Sequence, residues 1–367
     1  MPTRDEPEEL DRLDRLEDVE LERLPSRQKR GGRKSAAIAQ RGARARQREA
    51  VAARATEQGA PTGVAEIEGE AMVIAITRGQ CEVELDGREL ACHLPKALIE
   101  VQEIAVGDRL RLARRPDGSL VAARLLERVN RLSRPDPFLA HREKVLAANL
   151  DLAVVVTAIR KPPLSIGLVD RFLVALAHGG VPAAIAVNKI DLADGAIADD
   201  PELAELAAYE RRGMALFRCS AKRGLGIAEL REGLAGKTAV FVGHSGVGKS
   251  SLLKAIAPEF EVKVGAVSVM NDRGRHTTTR ARIYRLDDGR TRIIDTPGIR
   301  EFGLWKMSPR ALASYFDDLA ELATGCRFAD CGHTHEPGCA VRAAVDAGAL
   351  DERRYATYLR ILESLDA

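Results

Sequence analysis

Hydrophobic and polar residues alternate in short runs between residues 65 and 130, which is the pattern of half-buried β-strands. The predicted strands are Ala71–Ile76, Gln80–Leu85, Arg88–His93, Asp108–Leu112 and Leu120–Leu125. Turn sequences such as Asp86-Gly87 separate several of these runs. Five strands within about 60 residues predict a small closed barrel. An OB-fold and an SH3-like barrel both fit this spacing.

The pattern changes near Leu150, where wholly apolar runs begin to alternate with helical periodicity. The predicted strands are Leu152–Thr157, Ala183–Val187, Ala215–Cys219, Thr238–Val242 and Thr291–Ile294. The predicted helices are Val169–His178, Glu202–Arg211 and Ser250–Ala257. This alternation indicates an α/β domain with a largely parallel sheet.

These patterns divide the chain into four parts. We expect a charged arm over residues 1–62, the barrel over 63–133, the α/β domain over 134–307 and a mainly helical domain over 308–367. Arg134-Pro135-Asp136-Pro137 is interpreted as the linker between barrel and α/β domain.

Charge is distributed very unevenly along the arm. Residues 1–24 hold ten acidic and four basic side chains, whereas residues 25–54 hold ten basic side chains and a single acid, Glu49. The basic segment has almost no large apolar residue, so we expect it to be disordered when free. It is either an RNA-binding arm that neutralises phosphates or a solubilising tail.

Arginine is also frequent in the last two predicted barrel strands and just after them. The residues are Arg109, Arg111, Arg114, Arg115, Arg124, Arg128, Arg131 and Arg134. Contact with phosphate groups is one explanation, and a charged outer face is the alternative.

Composition narrows the class of protein. Hydrophobic residues make up 45% of the chain and charged residues 30%, as in ordinary globular proteins. No apolar run approaches the roughly 18 residues that span a bilayer. The first residues lack the apolar segment of a signal peptide. We therefore expect a cytoplasmic protein.

A phosphate-binding loop follows the predicted strand Thr238–Val242. It reads Gly243-His244-Ser245-Gly246-Val247-Gly248-Lys249-Ser250, with Ser251 next, and it opens a helix. Glycines let backbone N–H groups point at the β-phosphate of a nucleotide, and the helix dipole favours the anion. Lys249 is expected to reach the β- and γ-phosphate oxygens, and Ser250 to bind Mg²⁺.

Two further motifs indicate that the base is guanine. Asn188-Lys189-Ile190-Asp191 lies at the end of the strand Ala183–Val187, where α/β domains bind ligands. Asp191 can accept hydrogen bonds from both N–H donors of guanine, whereas adenine lacks that pair of donors. Lys189 is expected to pack along the base, and Asn188 to tie the loops together. Ser220-Ala221-Lys222 is the expected contact to the guanine O6 atom.

The last nucleotide motif is Asp295-Thr296-Pro297-Gly298. Asp295 is expected to hold Mg²⁺ through water, and the Gly298 N–H to meet the γ-phosphate. A threonine of Gly274-Arg275-His276-Thr277-Thr278-Thr279 should complete the magnesium site, and we favour Thr278. A β-edge is the alternative explanation of the threonine run. The predicted magnesium ligands are thus Ser250, Thr278 and Asp295.

The sequence does not show which residue activates the water that attacks the γ-phosphate. Ile299 follows Gly298, where many GTPases place Gln, and its side chain cannot hydrogen-bond to water. His276 is the internal candidate, although it could equally contact a partner or cap a helix. We therefore name His276, Lys249 and Thr278 as candidate catalytic residues.

The order of these motifs is unusual. In an ordinary GTPase the phosphate loop opens the domain and the base-reading motifs close it. Here the base-reading motifs at 188–191 and 220–222 precede the phosphate loop at 243–250. The sequence therefore predicts a circularly permuted GTPase domain.

Three cysteines and a histidine lie close together near the C-terminus as Cys326-x4-Cys331-x-His333-x5-Cys339. Three thiolates and one imidazole make a closed tetrahedral Zn²⁺ site, which is structural and not catalytic. His335 is left over and is expected to contact solvent or RNA. Cys81, Cys92 and Cys219 lie apart and are expected to be small core residues.

Together these features resemble the ribosome small-subunit-dependent GTPase A family (RsgA, also called YjeQ) over about residues 65–365. The supporting sequences include Arg131-Leu132-Ser133-Arg134, Arg300-Glu301-Phe302-Gly303-Leu304-Trp305 and Cys331-Gly332-His333-Thr334-His335-Glu336-Pro337-Gly338-Cys339. The resemblance implies a GTP-hydrolysing late assembly factor of the 30S subunit that binds 16S rRNA and is stimulated by that subunit. The long charged arm departs from the family.

Two other functions compete with this interpretation. One is a nucleotide-sensing rRNA-binding module with negligible turnover, which Ile299 favours. The other is a permuted GTPase of the large subunit, but such proteins typically lack the barrel and the zinc site. We expect a monomer that binds GTP and GDP, requires Mg²⁺ with GTP and one structural Zn²⁺, and has no membrane partner.

Overall fold

The computed structural model of the 367-residue chain describes residues 65–77, 79–101, 103–136, 143–193, 200–258, 281–295 and 307–366. The charged arm, His276 with the threonines at 277–279, and residues 296–306 with Gly298 and Ile299 lie outside the described residues. Within those ranges, no helix is long and apolar enough to cross a membrane.

The barrel contains each of the five strands that the alternating pattern predicts. Its elements are β1 (Ala65–Glu66), β2 (Ala71–Thr77), β3 (Gln80–Leu85), β4 (Arg88–His93), α1 (Lys96–Val101), β5 (Arg109–Arg114) and β6 (Leu120–Leu125). The fourth predicted strand begins one residue late because Asp108 is fully buried in the preceding loop, where its carboxylate accepts the Ala105 N–H at 2.7 Å.

The topology of the barrel distinguishes the two expected folds. The strands run β2-β3-β4-β6-β5, and β5 closes the ring by pairing with β2. β4 and β6 are parallel, while the other neighbours in this ring are antiparallel. A five-stranded closed barrel with this order is an OB-fold. Its core is formed by alternate side chains, including Val73, Val83, Cys92 and Leu110.

A two-stranded sheet follows the barrel at the predicted linker. β7 (Arg131–Pro135) pairs antiparallel with β8 (Glu143–Ala148). The linker interpretation is therefore wrong for Arg134 and Pro135. Leu132 and Ala147 are buried and fix the pair to the core. Pro135 is tolerated because it lies at the end of a strand in a two-stranded sheet, where no central ladder bond is lost.

The central α/β domain is built around a mostly parallel sheet of order β13-β14-β12-β9-β10-β11. The strands are β9 (Leu152–Ala158), β10 (Ala183–Asn188), β11 (Leu216–Arg218), β12 (Thr238–Val242), β13 (Arg282–Arg285) and β14 (Arg292–Asp295). The helices are α2 (Ile166–His178), α3 (Pro201–Arg211), α4 (Ile227–Leu234) and α5 (Lys249–Ile256), with a 3-10 turn at Ile190–Leu192. Only β13, which the sequence pattern did not predict, is antiparallel to its neighbour β14.

The barrel and the central sheet are joined edge to edge. β13 pairs with β2 through Arg282 and Ala75, so a single 12-stranded sheet runs through both parts. The joint is further fixed by the Asn149 side chain, which donates to the Gly107 carbonyl at 2.9 Å. Arg128 binds the buried Asp108 carboxylate through two nitrogens, at 2.7 and 2.8 Å.

The C-terminal part is helical, as the sequence predicts. It comprises α6 (Pro309–Ala313), α7 (Asp317–Ala323), α8 (Ala340–Asp346) and α9 (Glu352–Asp366). Their common core includes Phe316, Leu319 and Tyr358, and it extends to Val174 of α2. The helical part is thus packed against the central domain.

Candidate nucleotide site and metal centre

The phosphate loop connects the buried strand β12 to α5 at the carboxyl edge of the sheet. Two glycines are required there by close approach of other groups. A Cβ atom on Gly243 would lie 2.2 Å from the Val156 carbonyl oxygen, and one on Gly248 would lie 2.3 Å from the Asn188 amide nitrogen. Both also have positive φ, at 141° and 95°. The loop can therefore present its backbone closely to a ligand.

Lys249 reaches back over this loop. Its ammonium group donates to the carbonyls of Gly243 at 2.7 Å and His244 at 2.8 Å. The cation is thereby held at the mouth of the loop, where phosphate oxygens could compete for its donors. Ser250 and Ser251 follow in the first turn of α5 and are exposed.

The guanine-type motif is linked directly to the phosphate loop. Asn188 is buried, and its side-chain amide donates to the Val247 carbonyl at 3.0 Å while accepting the Ala221 N–H at 3.1 Å. Lys189 donates to the Gly246 carbonyl at 2.7 Å and also to the Lys161 carbonyl. The structure thus brings the residues 188–189, 221 and 246–247 into one site.

Asp191 is oriented by the third loop. Its carboxylate accepts the Ser220 hydroxyl at 2.5 Å, and that hydroxyl accepts the Arg223 N–H at 3.2 Å. Ser220 is fully buried, so this bond fixes the carboxylate in a defined orientation. Sequence reasoning placed Ser220 only in a base-contacting loop and missed its role in holding Asp191. Lys222 is exposed beside it.

Asp295 ends β14, next to the phosphate-loop strand β12. Burial raises the pKa of its carboxyl group. A divalent cation at this position would oppose that effect by favouring the carboxylate. The other predicted residues of this region, His276, Thr278 and Gly298, lie outside the described residues.

The Cys/His cluster is a compact four-ligand centre. The Cys326 thiol lies 3.5 Å from His333 Nδ1 and 4.0 Å from the Cys339 thiol, and Cys339 lies 3.6 Å from His333 Nδ1. Including Cys331, all four ligand atoms lie within 4.8 Å of one another. A tetrahedral Zn²⁺ with bonds of about 2.3 Å needs ligand separations of about 3.8 Å, so these residues fit the metal.

The protonation tendencies differ among the ligands of this cluster, and burial raises the pKa of the Cys331 thiol to about 12, which disfavours its thiolate. Burial lowers the pKa of His333, which favours the neutral imidazole that binds metal. Burial alone would raise the pKa of the Cys326 thiol, but the backbone N–H groups of Ala340 and Val341, together with the neighbouring thiols of Cys331 and Cys339, outweigh it and lower that pKa. The surroundings of the cluster therefore favour the metal-binding protonation state at two of its four ligands.

A shell of hydrogen bonds that the sequence analysis missed holds the metal-binding loop. Burial would raise the pKa of Glu336, but N–H groups including those of Gly332 and Thr334 lower it to about 2. From α9, Tyr355 donates to the His333 carbonyl at 2.5 Å and Tyr358 to the Gly332 carbonyl at 2.9 Å. The centre and the last helix are thus built as one unit.

Comparison with known proteins identifies the family. The model of the RsgA GTPase family matches residues 125–305. The chain is 36% identical over 287 residues to small ribosomal subunit biogenesis GTPase RsgA 2 of Bacteroides thetaiotaomicron, covering 76% of this chain and 91% of the relative. It is 39% identical over 307 residues to small ribosomal subunit biogenesis GTPase RsgA of Saccharophagus degradans, covering 80% and 87%.

Solved structures agree in fold. The crystal structure of YjeQ from Thermotoga maritima matches with a TM-score of 0.63 and 30% identity, covering 81% of this chain and 98% of the other. YloQ, described as a circularly permuted GTPase, matches with a TM-score of 0.63 and 26% identity, covering 83% and 96%. With its barrel, permuted motif order and Cys/His centre, this chain belongs to the RsgA GTPase family.

Proposed function

We propose that this chain is a GTPase that acts in biogenesis of the small ribosomal subunit. The observation that carries the proposal is the linkage of Asn188 and Lys189 to the phosphate loop, because it joins base reading to phosphate binding in one site. The names of the relatives, small ribosomal subunit biogenesis GTPases, support the assignment of the process.

In the proposed complex, Asp191 accepts the two N–H donors of guanine, and the loop at Ser220, Ala221 and Lys222 contacts its O6 edge. The backbone of residues 243–251 surrounds the phosphates, and Lys249 moves from the loop carbonyls to the β- and γ-phosphate oxygens. The buried orientation of Asp191 by Ser220 supports strong discrimination against adenine.

Magnesium completes the proposed nucleotide site. Ser250 would bind the ion directly and Asp295 through water, with Thr278 as the third protein ligand and the Gly298 N–H on the γ-phosphate. Because Ile299 offers no hydrogen bond, His276 is proposed to orient the attacking water. Lys249 and Thr278 would stabilise the charge that develops during transfer.

Zinc is the metal we propose for Cys326, Cys331, His333 and Cys339, since three thiolates and one imidazole are typical of structural zinc sites. When bound, the ion would supply folding free energy and no chemistry. Its place against α9 supports a structural role, because Tyr355 and Tyr358 connect the metal-binding loop to the helical core.

The proposed partner is the 30S subunit, which the chain contacts through 16S rRNA at a late step of assembly. Contact with the subunit is proposed to stimulate GTP hydrolysis. A partner of this kind implies a cytoplasmic location, and we propose that the chain acts as a monomer. The arginine-rich barrel strands and the basic segment at 25–54 support an RNA partner, because phosphate neutralisation drives such binding.

The test is GTP turnover by the full chain with and without purified 30S subunits. The proposal predicts slow turnover alone and clear stimulation by the subunit, with Lys249→Ala inactive in both conditions. Negligible turnover in both conditions would instead indicate a nucleotide-sensing module. Stimulation by 50S but not by 30S subunits would contradict the assignment to the small subunit.

A further inference from the structure

The barrel does not offer RNA the face that OB-folds commonly use. That face is the outer side of the second and third barrel strands, here β3 and β4. The inward residues of β3, Cys81 and Val83, are buried, so the alternate residues Glu82 and Glu84 point outward. Glu89 lies directly opposite Glu84 on β4. Three carboxylates on this surface favour basic side chains as neighbours and not a phosphate backbone.

The same face is already occupied by the central domain. Arg282 of β13 binds Glu82 at 2.7 Å and Glu89 at 3.4 Å, and Arg292 of β14 binds Glu84. Arg285 donates to the Gly87 carbonyl, in the turn of the β3–β4 hairpin, at 3.1 Å. The three glutamates are therefore paired with arginines of the central domain, and this acidic face is a poor match for RNA phosphates.

A surface of opposite character lies on the outer side of β5 and β6. Arg111 and Arg124 are directly opposite each other across these two strands. The neighbours of Arg111, Leu110 and Leu112, are buried in the barrel, so both arginines point outward. Like charges that face each other across a sheet are destabilising, so this pair opposes folding unless an anion lies between them.

The structure provides little compensation for this charge. Glu70 is shared between Arg109 at 3.5 Å and Arg111 at 3.8 Å, both long for an ion pair, and Arg111 also donates to the uncharged Gly69 carbonyl at 3.0 Å. Arg124 is exposed and has no acidic partner among the residues that the structure describes. Net positive charge therefore remains at the centre of the pair. We call this surface, defined by Arg111 and Arg124 with Arg109 at its edge, the β5–β6 face.

We propose that the β5–β6 face binds the phosphate backbone of RNA, with Arg111 and Arg124 as its central contacts. The inference rests on the proposed function and adds to it the surface by which the barrel meets the small subunit. Two guanidinium groups side by side match adjacent phosphate oxygens and would exchange mutual repulsion for charge-assisted hydrogen bonds. No sequence preference is expected, because the contacts are to the backbone.

The experiment compares the full chain with the double variant Arg111→Gln/Arg124→Gln and with Arg88→Gln, an exposed arginine on the hairpin of the acidic face. Binding to purified 30S subunits and to protein-free 16S rRNA is measured over a range of salt concentrations. We expect the double variant to bind both about ten-fold more weakly. The slope of log affinity against log salt concentration should fall by an amount equal to about two released ions. Arg88→Gln should bind as the unaltered chain does. The thermal stability of the double variant should be equal or higher, since the repulsion is removed.

Several results would overturn the inference. These are unchanged binding by the double variant, equal weakening by Arg88→Gln, and weakening towards 30S but not towards 16S rRNA, which would indicate an acidic ribosomal protein as the partner. Each of these leaves the proposed function intact, because the unaltered chain still binds the subunit. If the unaltered chain binds neither probe, the proposed function itself fails, and the RNA role of this face fails with it.

Discussion

At the scale of single residues, the proposed specificity for guanine rests on how the Asp191 carboxylate is held. Asp191 receives a 2.5 Å hydrogen bond from the buried Ser220 hydroxyl, which leaves the carboxylate oriented before any ligand arrives. Preorganisation of this kind reduces the entropy lost on binding. The sequence motif identified Asp191, but the partner lies 29 residues away, and only the fold brings the two together.

Asp191→Asn should lose the preference for guanine nucleotides and gain affinity for xanthine nucleotides, because the amide presents a donor where the carboxylate presents an acceptor. The measurement is the ratio of GTP to XTP affinity. Ser220→Ala serves as the control. This variant should bind GTP more weakly without gaining affinity for XTP, since the Asp191 carboxylate remains as acceptor while its orientation is lost. An unchanged GTP:XTP ratio in Asp191→Asn would remove Asp191 from the base site.

At the scale of elements, α9 links the metal centre to the central domain. Tyr355 and Tyr358 bind carbonyls of the metal-binding loop, while Arg354 binds Asp170 on α2 and Asp318 on α7, the latter at 2.9 Å. These contacts arise because residues three and four apart share a helix face. Loss of the metal should therefore loosen the helical part.

Cys331→Ala should release close to one equivalent of zinc and destabilise the C-terminal helices, while nucleotide affinity stays within a few-fold. Elemental analysis gives the metal content, and hydrogen exchange reports the opening of α8 and α9. Cys219→Ala is the matched control, because that buried thiol lies in the core of the central domain and should leave zinc unchanged. An unaltered chain without zinc would contradict the assignment.

Arg354→Ala should cost about 3 kcal/mol in the free energy of unfolding, because it leaves the buried Asp170 carboxylate without its cation. Burial already raises the pKa of Asp170, so the unpaired group is costly as an anion. Urea denaturation measures the effect, and Arg353→Ala on the exposed side of α9 provides the comparison. Equal losses in the two variants would show that the pair is not the cause.

Sequence patterns predicted the strands whose side chains are regularly apolar or regularly alternating. They missed β13, in which charged and apolar side chains are mixed. The barrel strands alternate cleanly because one side faces a core and the other faces outward. β13 escaped prediction since its four residues include Arg282 and Arg285, which resemble a charged loop. Those arginines bind barrel residues that are far away in the sequence. Arg282, for example, donates to Glu89, which lies 193 residues earlier in the chain. No local pattern encodes such a partner.

At the scale of the whole molecule, the barrel is attached to the β13–β14 hairpin, which lies between the predicted magnesium-binding threonines and the Asp295-Thr296-Pro297-Gly298 motif. β13 begins just after Thr279, and β14 ends at Asp295, the predicted magnesium ligand. Arg282 and Arg292 bind this hairpin to the barrel glutamates. A change at the γ-phosphate would therefore reach the barrel through two strands, and the nucleotide should control how the protein engages the small subunit.

If the nucleotide state governs binding to the small subunit, the affinity for 30S subunits must differ between the GTP and GDP forms. The full chain is titrated with purified 30S subunits in the presence of a non-hydrolysable GTP analogue or GDP, at one fixed salt concentration because RNA contacts depend on salt. We expect tighter binding with the GTP analogue by roughly 5–150-fold, the range of common allosteric coupling. Equal affinity in the two nucleotide states would contradict this expectation.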